Sequence, residues 1–563
     1  MASHPLRSTT GPTRRFGKSA LSRFSSRGCI VVVRKQEGHG LTHPSPTVNN
    51  VAPPSTDAFF CSESGSRRLL AHSMSPDATI SALLAWCSSR NVWIDPRLRI
   101  VAGPHGVAVY SRGTSIPSGT TLVRIPRESV LSVKSSPISQ LIPASPYGRS
   151  AQLSLALALS VELANGEMSP WHGYLQSLPR DIPGLFWAGG TSTRGDSFTT
   201  DWLAGTEAAK LLANLEDEIE EYYEMVARPV YLKLPIPCPS LQDFRHACGL
   251  VSSRAFLVDA YHGLSMVPIA DAFNHIQDNH VHIETDFDVC PECGSLRQCP
   301  HDDDTGDGST DGDDDDQEDT YEMVSNRPIP ADSEIFNTYG ETLSNAQLFV
   351  QYGFVLDVNE NDCITFSSAE LAEVLGGDRV PDQLLHSLAA LPWDDMADSE
   401  LVYVDDSRWF CINSDALISH SLWLLLALHL LPQIPESPHD SLIRELENAF
   451  HHQLTLERCI GTDSEVVAPT PPVLDDEADR DAASSPNLYG IIPNMARLLV
   501  SLCRRRAEAL TGCGKSSEEL GDIFDSLPVD GNPTRMAISL VLTERSLLDS
   551  CAAAWESALR AAH

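Results

Sequence analysis

The chain has 563 residues, too many for one ordinary core, so two or more domains are expected; 42% hydrophobic and 21% charged residues describe a globular protein with some loose segments. A net charge of −36 excludes broad binding to phosphate backbones, which needs clustered Lys and Arg, and suits a basic partner as well as a plain solvated surface. Fourteen cysteines spread over this length are no secreted disulfide framework, so a reducing compartment, cytoplasmic or nuclear, is expected, and no apolar run is long enough to span a bilayer.

Residues 1–73 form a basic, Ser/Pro-rich extension expected to be disordered. Its first 35 residues carry Arg and Lys but no Asp or Glu, the composition of an organelle transit peptide, of a basic tail or of an over-extended start. Met74 opens the folded part, where Ala82, Leu83, Leu84, Trp86 and Cys87 predict an amphipathic helix after a Ser or Asp cap. From Leu98 the pattern changes to short β-like pieces, LRIVAG, GVAVYS and TLVRIP, with turn signals between them. Residues 151–165 predict a helix with Leu153, Leu157, Val161 and Ala164 on one face. Trp171, Tyr174 and Trp187 read as core aromatics, and a long acidic helix is expected over 203–226.

Two motifs dominate the middle of the chain. Pro268 to His275 reads PIADAFNH, placing Asp271, Asn274 and His275 directly after an apolar run. Asn337 to Phe354 reads NTYGETLSNAQLFVQYGF. Taken singly, each is a common turn. Together and in this order they resemble SET-domain protein methyltransferases, more narrowly the branch of the RuBisCO large-subunit lysine methyltransferase, over about residue 76 to the C-terminus.

The resemblance implies an α+β fold: a SET domain of short β-sheets with helical insertions over 74–375, then an all-α substrate-binding domain over 376–563. It implies S-adenosylmethionine as cofactor, a glycine turn beside it at Gly103, His105 and Gly106, and Arg254 on its carboxylate. It further implies Asn274 and His275 on its adenine and methionine parts, Tyr339 as the active-site tyrosine and Tyr352 in the substrate channel. Asp271 is assigned to substrate positioning. Val258 stands where plant members carry a substrate-contacting Arg, a departure that bears on substrate identity. The implied activity is methyl transfer to a lysine of a protein substrate, lysine-rich and ribosomal among the candidates. Histidine methylation by the same fold and a catalytically idle scaffold remain alternatives. Neither direct nucleic-acid binding nor membrane association is expected.

An insertion over 288–325 separates the motifs. Cys290-Pro-Glu-Cys293-Gly is the tight turn of zinc knuckles, and Cys299 with His301 would complete four ligands; three free thiols in an exposed loop is the alternative. From Asp302 to Asp319, eleven acidic residues in eighteen repel one another and stay hydrated, which suits a loop and would attract a lysine-rich substrate. After Phe366 four apolar-patterned segments predict helices, interrupted by a flexible insertion over 462–486. His451, His452 and the triplet Arg504, Arg505 and Arg506 read as solvated helix faces.

Overall fold

The computed structural model describes residues 75–561 except 104–105, 144, 146–147, 181, 183–200, 214, 286–288, 297–298, 302–318, 394–409, 436–437, 461–487 and 530–531, and it omits the side chains of 451–460, 488–489 and 561. The expectations for residues 1–73, His105, Trp187, the acidic run up to residue 318, the 462–486 insertion and the His451 and His452 side chains therefore lie outside the described residues.

The first helix, Pro76–Ser89, starts where the sequence predicts, with the Ser75 side chain accepting from the Ala78 amide. Strand β1 (Trp93–Ile94) follows. β2 (Leu98–Gly103) and β3 (Gly106–Ser111) then form an antiparallel hairpin with Gly103 opposite Gly106. In β2, Leu98 and Ile100 are buried while Arg99 between them is exposed, the period-2 alternation of a strand lying on a core. β4 (Thr121–Pro126) becomes an inner strand of a four-stranded antiparallel sheet, and β5 (Leu131–Ser132) starts a second sheet. β6 (Ala255–Leu257) and β7 (Leu264–Met266) complete that second sheet in the order β5-β7-β6. β8 (Asn274–His275), β9 (Val281–Glu284), β10 (Thr320–Ser325) and β11 (Phe336–Asn337) follow, and the first sheet reads β1-β4-β10-β9. The α+β class expected from sequence is the class found.

Two helical expectations change. The helix Gly148–Asn165 is buried from Leu153 to Glu162 on every side, not along one stripe, because it runs between the Leu241–Arg254 helix and strands β5 and β7. The acidic helix expected over 203–226 is broken into Glu207–Leu212 and Leu215–Tyr222, followed by a π-helical turn at Tyr223–Ala227.

The four C-terminal segments are helical, at His420–His429, Asp440–Ile460, Ile492–Glu508 and Pro533–Ala561. Shorter helices at Ser368–Val374, Asp382–Ala389 and Ser517–Ser526 and a strand pair, β12 (Ile364–Thr365) with β13 (Cys411–Ile412), join them. His420–His429 is buried on every side from His420 to Leu428, in keeping with its run of apolar residues from Leu422 to Leu428.

The arginine triplet does not all face solvent. Arg504 and Arg505 are exposed, but the Arg506 side chain is 4% exposed, and its guanidinium bonds the Gly205 carbonyl and Glu207 Oε1, the latter at 2.9 Å. Glu207 also accepts from Thr365 Oγ1 at 2.6 Å, and its backbone amide donates to Glu544 Oε1 at 2.8 Å. A buried cation needs such partners, and these ones join the segment after Gly205 to the helices Ile492–Glu508 and Pro533–Ala561.

Burial, reinforced by Glu207, raises the Glu544 carboxyl from its ordinary range to about 8. Between that value and the ordinary one near 4.5, the folded chain holds a proton that the unfolded chain has lost, so this group lowers stability as pH rises through the window. Glu544→Gln keeps a neutral acceptor for the Glu207 amide. It is expected to flatten the fall in stability between pH 5 and 8, by at most about 1.4 kcal/mol per pH unit, in urea unfolding followed across pH. Identical slopes in the two proteins would count against the buried proton.

Candidate active site

β8 and β11 pair in parallel, Phe336 opposite Asn274 and Asn337 opposite His275. This pairing draws the two motifs, more than sixty residues apart in sequence, side by side. One consequence is direct: the Tyr339 amide donates to His275 Nδ1 at 3.0 Å. With Nδ1 accepting, the proton of neutral His275 sits on Nε2, which is buried and has no hydrogen-bond partner among the described residues.

The rings close around this bond. Tyr339 stacks on Tyr352 with centroids 4.5 Å apart and planes 25° from parallel, and Phe354 lies 6.3 Å from Tyr352 and 5.6 Å from the His275 ring. Tyr352 ends the helix Asn345–Tyr352, which begins with a reciprocal Ser344/Gln347 capping box. Gly353 then adopts φ 76°, the left-handed conformation that glycine takes without strain, and the turn brings Phe354 back to the cluster.

A second layer holds Arg254, the last residue of the helix Leu241–Arg254. Its Nη1 donates to the Asp271 carbonyl at 3.0 Å and lies 3.5 Å from Asp271 Oδ2. The same carboxylate accepts from the buried Tyr174 hydroxyl at 2.9 Å. Burial raises the Asp271 carboxyl above its ordinary value, with Arg254 pulling the other way. Asp271, assigned from sequence to substrate positioning, thus spends its carboxylate on Arg254 and Tyr174.

Gly106 faces the other edge of the guanidinium: a Cβ there would lie 3.3 Å from Arg254 Nη2, and φ is 118°. The positive φ favours glycine at this position, and a Cβ would crowd the guanidinium. Asn274 Nδ2 donates to Glu334 Oε1 at 2.7 Å, and Tyr110 of β3 donates to Glu334 Oε2 at 3.0 Å. Glu334 therefore ties the glycine hairpin to the first motif.

The structure accordingly gathers Gly106, Arg254, Asp271, Asn274, His275, Tyr339 and Tyr352 into one region, with Gly103 at the end of β2 opposite Gly106. Tyr174, Glu334 and Phe354 complete it without having been singled out. Tyr174 carried only the signal of a core aromatic, and Glu334 carried none. Phe354 closed the second motif. Val258 is fully buried. The four proposed metal ligands also meet, apart from this region: Cys290 Sγ and Cys299 Sγ lie 3.8 and 3.7 Å from His301 Nδ1, and all four ligand atoms, Cys293 Sγ included, fall within 4.8 Å of one another.

Among solved structures, the chain is similar to the SET domain of LSMT bound to lysine and AdoHcy, with a TM-score of 0.54 over 86% of this chain and 92% of that one at 15% identity. It is also similar to Rubisco LSMT bound to AdoMet, with a TM-score of 0.52 at the same 86% coverage of this chain, 93% of the other and 15% identity. The chain carries a SET fold. The resemblance to the RuBisCO large-subunit methyltransferase branch, read from two motifs, extends through the architecture.

Among curated proteins, ribosomal lysine N-methyltransferase 3 of Saccharomyces cerevisiae is 25% identical over 335 residues, covering 46% of this chain and 58% of that protein. The N-lysine methyltransferase setd6 of Xenopus laevis is 25% identical over 305 residues, covering 49% and 57%. An uncharacterized protein of Schizosaccharomyces pombe is 28% identical over 292 residues, covering 48% and 54%. The chain thus spans a little over half the length of these relatives. No family model matches it, and no helix among the described residues is long and apolar enough to cross a membrane.

Burial lowers the His275 imidazole from its ordinary 6.5 to about 4. The unfolded chain would bind this proton first, so the site loses stability as pH falls below about 6.5. Nitrogen-15 NMR of the imidazole is expected to show the Nε2–H tautomer, neutral down to about pH 4. A midpoint near 6.5 would contradict the burial of the ring, and a proton on Nδ1 would contradict the bond from the Tyr339 amide.

Proposed function

We propose that the chain is a protein-lysine methyltransferase that uses S-adenosylmethionine and acts on a lysine-rich protein. The observation that carries this reading is the ring cluster of Tyr339, Tyr352 and Phe354 standing against His275 and, through the first motif, Arg254. The names of the relatives that match, two of them lysine methyltransferases, support it.

Two features fit the cofactor. His275 presents a buried Nε2–H with no partner among the described residues, a donor whose desolvation a bound acceptor would offset. Gly106 puts no side chain against Arg254 Nη2, and a guanidinium grips a carboxylate with paired hydrogen bonds. Gly103, Gly106, Arg254, Asn274 and His275 would hold the cofactor, while Asp271 and Tyr174 set the angle of Arg254. When bound, S-adenosylmethionine supplies an electrophilic methyl group on a sulfonium.

The protein's own part is to orient and desolvate the acceptor. A lysine amine carries a proton in water and attacks only without it; entering between aromatic walls disfavours the charged form, because that form loses more solvation. Burial pushes the Tyr339 hydroxyl up to about 12, with Arg254 opposing and Asp271 and Glu334 reinforcing. At neutral pH it is a phenol, so it orients the amine by hydrogen bonding and is not the base that takes the proton. Tyr352 forms the wall behind it. A ribosomal protein is the proposed class of substrate, in keeping with the yeast relative's name and the net charge of −36, and cytoplasm and nucleus are the proposed locations.

The full chain, incubated with radiolabelled S-adenosylmethionine and a cell extract, is expected to label a protein band that yields methyl-lysine on hydrolysis. Tyr339→Phe should lower turnover by on the order of 100-fold while leaving the cofactor dissociation constant nearly unchanged. Unchanged turnover would remove Tyr339 from this role. Label recovered as methyl-histidine would transfer the reading to histidine, and no cofactor binding by calorimetry would leave a scaffold.

A further inference from the structure

We propose that Cys290, Cys293, Cys299 and His301 hold one structural zinc ion that fastens the insertion between β9 and β10 to the turn following β6. The proposal is independent of the methyl-transfer reading.

β9 and β10 are antiparallel neighbours, which two to about five residues suffice to connect. Here residues 285–319 intervene. A segment of that length packs only if something organises it. The described part begins with a tight turn: the Cys290 amide donates to the Ser295 carbonyl at 2.9 Å and the Gly294 amide to the Cys290 carbonyl at 2.7 Å. That turn presents two sulfurs on one side. Cys299 and His301 return to the same point after a few residues, so that four ligand atoms converge within 4.8 Å.

The spacing discriminates among explanations. Tetrahedral zinc, with Zn–S about 2.3 Å and Zn–N about 2.0 Å, sets sulfur and nitrogen about 3.5 Å apart. The two sulfur-to-His301 distances are 3.7 and 3.8 Å. A pairwise thiol contact would account for one such distance, but not for three sulfurs and an imidazole sharing one centre. A disulfide would leave the histidine without a reason to join. Soft thiolates and one imidazole select zinc over hard cations such as magnesium or calcium. Four protein ligands close the tetrahedron and leave no position for a reacting water, so the ion is structural, not catalytic.

The turn is also seated on the domain. Gly294 has φ 76°, and a Cβ there would lie 2.8 Å from the Tyr261 ring, so the knuckle packs closely against that ring. Tyr261 meets the His262 ring edge-on at 4.8 Å, and His262 Nδ1 is 3.0 Å from Asp259 Oδ2, a carboxylate that also binds the buried Arg127 at 2.7 Å. Zinc at the knuckle thereby anchors the insertion to the residues that follow Arg254 through β6.

The test is metal content and cobalt spectroscopy of the full chain, purified under reducing conditions without chelator. The expected result is about one zinc per chain by mass spectrometry. Cobalt(II), added after the zinc is removed, should give the visible bands of a tetrahedral site together with thiolate-to-cobalt charge transfer. Cys293→Ser and His301→Ala should each weaken metal binding at least tenfold, while Cys513→Ser, an exposed cysteine elsewhere, should leave it unchanged. Less than a tenth of an equivalent of zinc with no cobalt bands would overturn the proposal, as would full retention of metal in both ligand variants. The cobalt spectrum of the unsubstituted chain decides the matter even if the variants fail to fold.

Discussion

The short parallel pairing of β8 with β11 is the constraint on which the site depends. Two residues from each strand suffice because the bonds they make are backbone bonds with few alternatives once Phe273, Ile335 and the flanking residues are buried. From that pairing follow the Tyr339 amide on His275, the tautomer of the imidazole and the orphaned Nε2–H. The ring stack depends on it in turn, since Tyr352 and Phe354 reach Tyr339 only if the second motif leaves β11 in this direction.

Beneath the rings, the first motif is held against its own preferences. Ile269 takes φ 70° and ψ −38° with its side chain fully buried, a conformation that β-branched residues avoid at a cost of about 1–3 kcal/mol. The turn places the Asp271 carbonyl and carboxylate under Arg254, where an acid raised by burial is bound by a guanidinium and a tyrosine hydroxyl. Strain and a buried charge pair together are destabilising features, and their concentration where a ligand would sit agrees with a site whose geometry is set before binding.

Several residues have meaning only through partners distant in the chain. Tyr174 looked like an ordinary core aromatic, and it is buried as one, yet its hydroxyl is bound to Asp271 ninety-seven positions away. Glu334 had no local signal, because its role is to bridge Tyr110 and Asn274 across two sheets. Arg506 was grouped with its two exposed neighbours by composition, but a helix turns 100° per residue and points it inward at Glu207.

The sequence by itself determined the strands around Gly103 and Gly106, the C-terminal helices, the α+β class and the residue types of the site. The strands and helices rest on local rules of alternation, caps and turns, whereas the class and the site residues follow from the family resemblance that the two motifs carry. Tertiary structure alone decided that Asp271 serves Arg254, that the helix at 148–165 is enclosed and that the acidic helix breaks. These depend on which surfaces meet, and hydrogen bonds and burial between residues separated by tens or hundreds of positions leave no period in the chain to be read.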